Sequence, residues 1–204
     1  MRARHKKWAA PFLNDHPEFY LAEIKGEDPF FKSSPLYLEI GSGKGDFIIQ
    51  MAAKHPGNYL ALEREISVLG TLGKKLAESG LTNVKVRGAD FDKAYEELKG
   101  IEFDAIYLNF SDPWPKKKHW KRRLTTKERL SLMEALLKED GRFLIKTDND
   151  SLYEFTLEQA PLAGLKIVYS TDDYLFDEEN DAMSEYERSF RSEGKKIHRI
   201  ILSK

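Results

Sequence analysis

The stretch Leu36-Tyr37-Leu38-Glu39-Ile40-Gly41-Ser42-Gly43-Lys44-Gly45 decides the fold that this sequence predicts. Its first half, Leu36–Ile40, is a short apolar run between Pro35 and Gly41, which is typical of a buried strand. The glycines permit a tight turn, and Asp46–Lys54 then has the pattern of a helix. A strand that turns through glycines into a helix indicates the first unit of a parallel α/β sheet.

Strands and helices alternate along the rest of the chain. The further predicted strands are Tyr59–Glu63, Asn83–Arg87, Phe103–Phe110, Gly141–Lys146, Leu165–Ser170 and Lys196–Leu202. The further predicted helices are Ile66–Ser79, Phe91–Leu98, Thr126–Lys138 and Asn149–Gln159. The last two strands follow one another without a clear helix between them, which suggests one antiparallel member. We therefore predict a doubly wound, Rossmann-like α/β fold with a mostly parallel seven-stranded sheet and one antiparallel strand.

The chain of 204 residues is long enough for one domain with a single hydrophobic core. We expect residues 35–204 to form this domain. Residues 1–34 precede the first strong strand, and we expect them to form a mobile basic arm followed by a short helix around Pro17–Ile24.

Composition excludes several classes of protein. The 12 Phe, 9 Tyr and 3 Trp exclude a disordered chain. No apolar run approaches the ~18 residues of a membrane span, and the basic start of the chain is not followed by the apolar segment of a signal peptide. The absence of cysteine excludes disulfides and thiolate metal sites. We expect a cytoplasmic protein without a membrane partner.

Charge is unevenly distributed although the net charge is only −1. Basic residues cluster at 2–7 and 116–127, and acidic residues cluster at 172–187. Such separation predicts a local positive face on a nearly neutral molecule. Two solvated charge runs would give the same pattern.

Three carboxylates stand at the ends of three successive predicted strands. Glu39 precedes the glycines, Glu63 ends the next strand, and Asp90 follows the third. Ligands of open parallel sheets bind outside the carboxyl ends of the strands. Glu63 is placed for the two hydroxyls of a ribose and Asp90 for an exocyclic amine. An acid beside the glycines suits a ligand with a positive sulfonium and ammonium, and it would repel a pyrophosphate.

The G-x-G-x-G spacing of the loop differs from the dinucleotide-binding and P-loop motifs. Together with the three acids it resembles class I S-adenosylmethionine (SAM)-dependent methyltransferases. The resemblance implies SAM as cofactor and S-adenosyl-L-homocysteine as product. The alternative is that Glu39 and Glu63 are ordinary acids at strand ends. The residues that the resemblance assigns to the cofactor are Glu39, Gly41, Gly43, Gly45, Glu63, Asp90 and Asp112.

An acidic turn follows the fourth strand and leads into a basic run. Asp112-Pro113-Trp114-Pro115 lies where the chain passes beside the glycine loop in a doubly wound sheet, and its prolines stiffen the turn. Six cationic residues lie within the eleven residues after Asp112. A carboxylate followed by a ribbon of phosphate-binding cations suggests chemistry on a nucleic acid.

The run from Phe110 to Arg123 closely resembles the bacterial tRNA (guanine-N7-)-methyltransferases, and the resemblance covers nearly the whole chain. Lys146-Thr147-Asp148 is similar to the family's substrate-binding segment after the fifth strand. Ser184-Glu185-Tyr186-Glu187, with Phe190, is similar to its late Thr-x-Tyr-Glu-x-x-x-Phe segment, although Ser184 replaces the usual Thr. The resemblance implies methyl transfer from SAM to N7 of a guanosine in the variable loop of tRNA.

The resemblance also implies roles for individual residues. Asp112 is expected to be catalytic, because it can orient the guanine and stabilise the charge that develops on it. The expected substrate-binding residues are Lys116, Asp148, Ser184, Glu185, Tyr186 and Glu187. The expected contacts with RNA phosphates are Lys117, Lys118, Lys121, Arg122 and Arg123, together with Arg2, Arg4, Lys6 and Lys7 of the arm.

Alternatives remain at this level. A methyltransferase of the same fold could act on another RNA or on an exocyclic amine, and a non-catalytic RNA-binding domain could retain a vestigial fold. Asp112 could simply cap the turn at 113–116, and Trp114 and Trp120 suit packing as well as base stacking. No histidine has the spacing of a metal ligand, so no metal is expected. The expected assembly is a monomer or a homodimer.

Overall fold

The computed structural model of this protein describes residues 5–204, which form one central sheet flanked by helices. The strands are β1 Tyr20–Leu21, β2 Leu36–Ile40, β3 Asn58–Leu62, β4 Val84–Arg87, β5 Phe103–Asn109, β6 Leu137–Thr147, β7 Lys166–Thr171 and β8 His198–Ser203. The α-helices are α1 Ala9–Asn14, α2 Asp46–Lys54, α3 Ile66–Ser79, α4 Phe91–Leu98, α5 Lys127–Glu134, α6 Asp150–Leu162 and α7 Glu185–Ser192. Two 3₁₀ segments cover Pro29–Lys32 and Lys117–Arg122.

The strand order of the sheet is β1-β4-β3-β2-β5-β6-β8-β7. β8 runs antiparallel to both of its neighbours, and every other pairing is parallel. The prediction of a doubly wound, mostly parallel sheet with one antiparallel strand is confirmed. The chain moves outward from β2 first through β3 and β4 and then, on the other side, through β5 and β6. A ligand crevice is expected at this reversal, outside the carboxyl ends of β2 and β5.

The core has two layers, one on each face of the sheet. Leu60 and Leu62 of β3 pack into one apolar cluster, and the alternating residues Tyr59 and Ala61 pack into the other. Period-two alternation between two buried faces explains why the central strands are apolar throughout. Glu39 alternates with the core residue Leu38, so its carboxylate lies on the face that carries α2 and α3.

The segment before β2 differs from the prediction. The structure has a helix at Ala9–Asn14, and the helix predicted around Pro17–Ile24 is wrong. Tyr20 and Leu21 pair instead with β4, which adds an eighth strand to the predicted seven. The backbone N–H of Ile24 donates to the carboxylate of Glu97 at 2.8 Å. These long-range partners favour an extended backbone that local sequence does not reveal.

The segment between β7 and β8 also differs, because it contains α7. Glu187 is the only buried residue of this helix, so α7 lacks the apolar stripe from which helices are predicted. The predicted Thr126–Lys138 helix ends earlier, at Glu134, and Leu137 already belongs to β6. No helix in the described residues is long and apolar enough to cross a membrane.

Candidate active site at the carboxyl edge of the sheet

The glycine loop between β2 and α2 is held to the end of β3. The backbone N–H groups of Gly41 and Ser42 donate to the carbonyl oxygen of Leu62 at 2.8 and 2.9 Å. Gly41 has φ 75° and Gly43 has φ 57°, and a Cβ atom at either position would meet no atom within 4 Å. Both glycines are therefore required by backbone conformation, and the space in front of them can receive a ligand. At Gly45 a Cβ atom would collide with the side chain of Leu72.

Glu39 is a buried carboxylate, and only one of its two oxygens has a hydrogen-bond partner within the described residues. Its Oε1 accepts a hydrogen bond of 3.0 Å from the side-chain amide of Asn109, and its Oε2 has no hydrogen-bond partner among residues 5–204. Burial raises the pKa of Glu39 to about 8, although the Asn109 bond and the charge of Lys146 act in the opposite direction. A cation placed against Oε2 would restore the ionised form. Asn109 was not predicted as a site residue, and its only signal is its polarity at the end of an apolar strand.

Glu63 and Asp90 stand at the ends of the two next strands, as predicted. Glu63 accepts hydrogen bonds from the N–H groups of Gly43 at 3.0 Å and Glu65 at 2.8 Å. Burial raises the pKa of Glu63. Asp90 caps α4 by accepting from the N–H of Lys93 at 2.9 Å. Glu63 therefore shapes the glycine loop, and Asp90 fixes the start of a helix beside it.

These residues fit SAM as a ligand. Ser42 Oγ, like Glu39 Oε2, is buried without a hydrogen-bond partner in the described part of the chain. Two buried polar atoms without a hydrogen-bond partner thus lie beside the open glycine loop. This arrangement suits a ligand with both charged and hydrogen-bonding groups. The donors and acceptors are oxygen atoms and backbone amides, as an amino-acid and nucleoside ligand requires. Within residues 5–204 no group of three or more His, Cys, Asp or Glu residues is arranged to hold a metal ion.

The loop after β5 carries Asp112 to the surface. Phe110 and Trp114, at φ 54° and 43°, adopt the left-handed conformation that bulky side chains rarely take. Such strain is characteristic of loops that the surrounding structure holds for a function. The Asp112 side chain is 62% exposed, and its Oδ2 lies 3.2 Å from Nη2 of Arg64. Nothing in the sequence pattern identified Arg64, because it reaches Asp112 from the turn after β3.

The cations of residues 116–123, the basic ribbon, include both exposed and buried side chains. Lys116, Lys117, Lys118, Lys121 and Arg122 are exposed, and those from Lys117 onward form a 3₁₀ segment. The guanidinium of Arg122 lies 4.9 Å from the centre of the Trp114 ring. Trp120 instead packs edge-on against Phe155, with ring centres 5.5 Å apart. Five cations thus remain on the surface beside Asp112.

Arg123 is the exception, because its side chain is fully buried. Its Nε donates to the carbonyl oxygen of Pro113 at 2.7 Å, and its Nη1 donates to the carbonyl oxygen of Ser151 at 3.0 Å. The prediction that Arg123 contacts RNA phosphate is therefore wrong. Arg123 holds the Asp112 loop against α6, a role that depends on a residue 28 positions later in the chain.

In the segment 184–187, three of the four predicted residues are at least partly accessible to solvent. Ser184 caps α7 by accepting from the N–H of Glu187 at 3.1 Å. Glu185 is exposed and pairs with Lys44 of the glycine loop at 2.8 Å. Tyr186 is 59% exposed. The structure thus brings the late segment and the cofactor loop together. Asp148 directly follows β6, and its Oδ2 lies 3.8 Å from Nζ of Lys195.

Glu187 points inward and is fully buried. Its Oε2 accepts from Nζ of Lys146 at 2.6 Å, and its Oε1 accepts from Nη2 of Arg191 at 2.9 Å. Both carboxylate oxygens therefore have internal partners. The predicted direct contact between Glu187 and substrate is wrong in this arrangement, and the carboxylate instead fixes α7.

Lys146 is the centre of a buried ion network that the sequence did not predict. Its side chain is 2% exposed, and besides Glu187 its Nζ donates to Asp181 Oδ2 at 3.1 Å. Asp181 also accepts from Arg199 at 2.7 Å and from the Tyr174 hydroxyl at 3.0 Å. The network ties β6, β8 and the acidic segment 172–187 together. That segment is therefore part of the site's framework, not only a solvated loop.

Comparison with known proteins agrees with this geometry. Residues 33–200 match the family described as "Putative methyltransferase". The chain is 41% identical over 210 residues to the tRNA (guanine-N(7)-)-methyltransferase of Staphylococcus haemolyticus, which covers 98% of this chain and 96% of that protein. It is 39% identical over 208 residues to the protein of the same name from Staphylococcus saprophyticus, with 98% of each chain covered.

Solved structures show the same fold at lower identity. An antibiotic-related methyltransferase superposes with a TM-score of 0.65 at 17% identity and covers 98% of this chain and 96% of its own. A 16S rRNA methyltransferase superposes with a TM-score of 0.63 at 18% identity and covers 88% of this chain and 97% of its own. The eight-stranded sheet is thus the α/β sheet of Rossmann-like methyltransferases.

Proposed function

The chain belongs to the tRNA (guanine-N(7)-)-methyltransferase family, and on this premise we propose that it transfers a methyl group from SAM to N7 of a guanosine in tRNA. One observation carries the proposal. The buried carboxylate of Glu39, which has one unpartnered oxygen, lies near the carboxyl end of β2, and the exposed carboxylate of Asp112 follows the adjacent strand β5. The first suits a cationic methyl donor and the second a purine. The family resemblance indicates the variable loop as the position of the guanosine.

The cofactor side depends on three strand ends. SAM supplies an electrophilic methyl group on a sulfonium. Glu39 offers its free Oε2 to the positive charge of the methionine part, and Glu63 offers its carboxylate to the ribose hydroxyls. Asp90 uses Oδ1 for the cap of α4, so Oδ2 can accept from the adenine amine. Gly41 and Gly43 let the ligand approach the backbone closely.

The acceptor side requires orientation more than proton transfer. Guanine N7 carries a free lone pair, so no proton leaves the attacked atom. The N1–H and N2–H₂ groups of the guanine can donate to the Asp112 carboxylate, which also stabilises the positive charge that develops on the ring. Holding N7 in line with the methyl group supplies most of the remaining rate enhancement.

The surrounding residues hold the nucleotide and its strand. Lys116, Glu185 and Tyr186 are exposed and Asp148 is partly exposed, so all four can contact a nucleotide, and Ser184 fixes the start of α7. Glu187 acts through Lys146 instead of touching the substrate. The exposed ribbon cations bind phosphates. A tRNA substrate implies that the reaction occurs in the cytoplasm.

The decisive experiment uses unmodified tRNA, methyl-labelled SAM and nucleoside mass spectrometry with sequence mapping. The expected product is 7-methylguanosine at one position. Label on another base, or no transfer to RNA, would refute the proposal.

Asp112→Asn is expected to lower turnover about 10²- to 10³-fold, the cost of losing one preorganised charge contact. SAM affinity, measured by calorimetry, should fall far less than turnover, because Glu39, Glu63 and Asp90 keep their carboxylates. Full activity in this variant would exclude the role given to Asp112.

A further inference from the structure

A second cationic surface reaches Asp112 from the other direction along the chain. A groove of about 380 Å³ lies between the N-terminal segment and the turn that joins β3 to α3. Residues with polar side chains that line it include His5, Lys6, Lys7, Arg64, Glu65 and Ser67.

The outer wall of this groove is docked on α3. The backbone N–H of Lys6 donates to Ser67 Oγ at 2.8 Å, and Lys6 Nζ donates to Thr71 Oγ1 at 2.9 Å. Nζ of Lys74 lies 3.9 Å from the centre of the Trp8 ring. The segment from residue 5 onward therefore has a defined position. The mobility expected of the arm stays a prediction, and Arg2 and Arg4 lie outside the described residues.

The groove has an excess of positive charge. Lys6, Lys7 and Arg64 face one carboxylate of the lining, Glu65, which lies 3.9 Å from Nε of Arg64. Arg64 is also the residue whose Nη2 lies 3.2 Å from Asp112. Arg64 therefore lines the groove and also contacts Asp112, so the positive charge of the groove adjoins the expected position of the guanine.

We propose that this groove binds the phosphodiester backbone of the RNA strand next to the target guanosine. The inference rests on the proposed function. The exposed ribbon follows β5 and the groove follows β3, and β2 with its glycine loop lies between these two strands. A strand held by phosphates at both places crosses the carboxyl edge of the sheet above the cofactor loop. The guanosine between the two contacts then faces Asp112.

Lys7→Gln tests the groove, because Lys7 is exposed and the change removes one charge. The matched control is Lys166→Gln on β7, at the opposite edge of the sheet. The dissociation constant of tRNA is measured across a salt series. Lys7→Gln should reduce the slope of log K against log salt by about 1 and weaken binding about fivefold near 0.15 M salt. The control should leave both quantities unchanged, and an unchanged slope in Lys7→Gln would overturn the proposal.

A chemical double-mutant cycle tests the strand path. tRNAs that carry one neutral methylphosphonate linkage, placed in turn at each of the three positions on either side of the guanosine, are bound to the wild type and to Lys7→Gln. One linkage should weaken binding to the wild type about fivefold and have no further effect in the variant. Additive losses at all six positions would exclude a contact between the groove and the neighbouring backbone.

Two readouts separate this inference from the proposed function. If the wild type forms 7-methylguanosine but Lys7→Gln keeps the full salt slope, the groove proposal fails alone. If the wild type neither binds nor methylates tRNA, both proposals fail. SAM affinity of Lys7→Gln should be unchanged, and a loss of SAM affinity would assign the groove to the cofactor and overturn the proposal.

Discussion

The exposed ribbon at 116–122 and the buried network around Lys146 use the same kinds of residue for opposite purposes. Ribbon side chains such as Lys118 lie in solvent, whereas Lys146 is 2% exposed and donates to Asp181, Glu187 and the carbonyl oxygen of Ala182. Exposed ions contribute little to stability, and they remain available to a ligand. Buried ions have no such freedom, because removing one partner leaves another charge without compensation. The exposed ribbon is thus available to bind a ligand, whereas the buried network holds the fold together.

The largest expected contrast is between Lys146→Met and Lys118→Met. Lys146→Met leaves the carboxylates of Asp181 and Glu187 buried without their shared cation, so we expect a loss of about 3 to 5 kcal/mol in the free energy of unfolding. Lys118→Met should change it by less than about 0.5 kcal/mol. Urea unfolding followed by circular dichroism measures both. Equal stability of the two variants would abolish the distinction between the clusters.

Glu39 sharpens the comparison, because it is a buried carboxyl group that forms no salt bridge within residues 5–204. Its folded pKa, raised to about 8, exceeds the ordinary value, so the unfolded chain loses this proton at lower pH than the folded protein does. Wild-type stability in the absence of SAM should therefore fall, relative to Glu39→Gln, as the pH rises from about 4.5 to 8. The difference should change by at most about 1.4 kcal/mol per pH unit. Chemical denaturation of both proteins at several pH values provides the test, and parallel pH profiles would contradict it.

Arg122 and Arg123 give the smallest and most local contrast, because they are adjacent in sequence and differ in burial. Arg123→Gln should lower the free energy of unfolding by about 1 to 3 kcal/mol, since the carbonyl oxygens of Pro113 and Ser151 lose their donors. Arg122→Gln should leave stability within about 0.5 kcal/mol. It should instead reduce the salt slope of tRNA binding by about 1. Thermal unfolding and the salt series together check the pair, and a reversed pattern would show that burial does not divide their roles.

Much of the sheet edge around the glycine loop was predictable because its signals are local. The helices Asp46–Lys54, Ile66–Ser79 and Phe91–Leu98 have the predicted bounds, since apolar spacing and terminal residues lie within each segment. The three acids meet at one edge because parallel strands bring their carboxyl ends to the same side of the sheet. The acceptor side was less predictable. Its loop is fixed by Arg64 and Arg123, whose partners lie far away in the sequence.

The sequence by itself determined the alternation of strands and helices, the glycine turn and the acids at the strand ends, because each depends on neighbours a few positions away. Only the tertiary structure decided which charges are buried. Lys146 and Glu187 are 41 residues apart, and Asn109 and Glu39 are 70 apart. Whether a charge remains available to a ligand depends on what the fold places around it, and local periodicity carries no record of those distant partners.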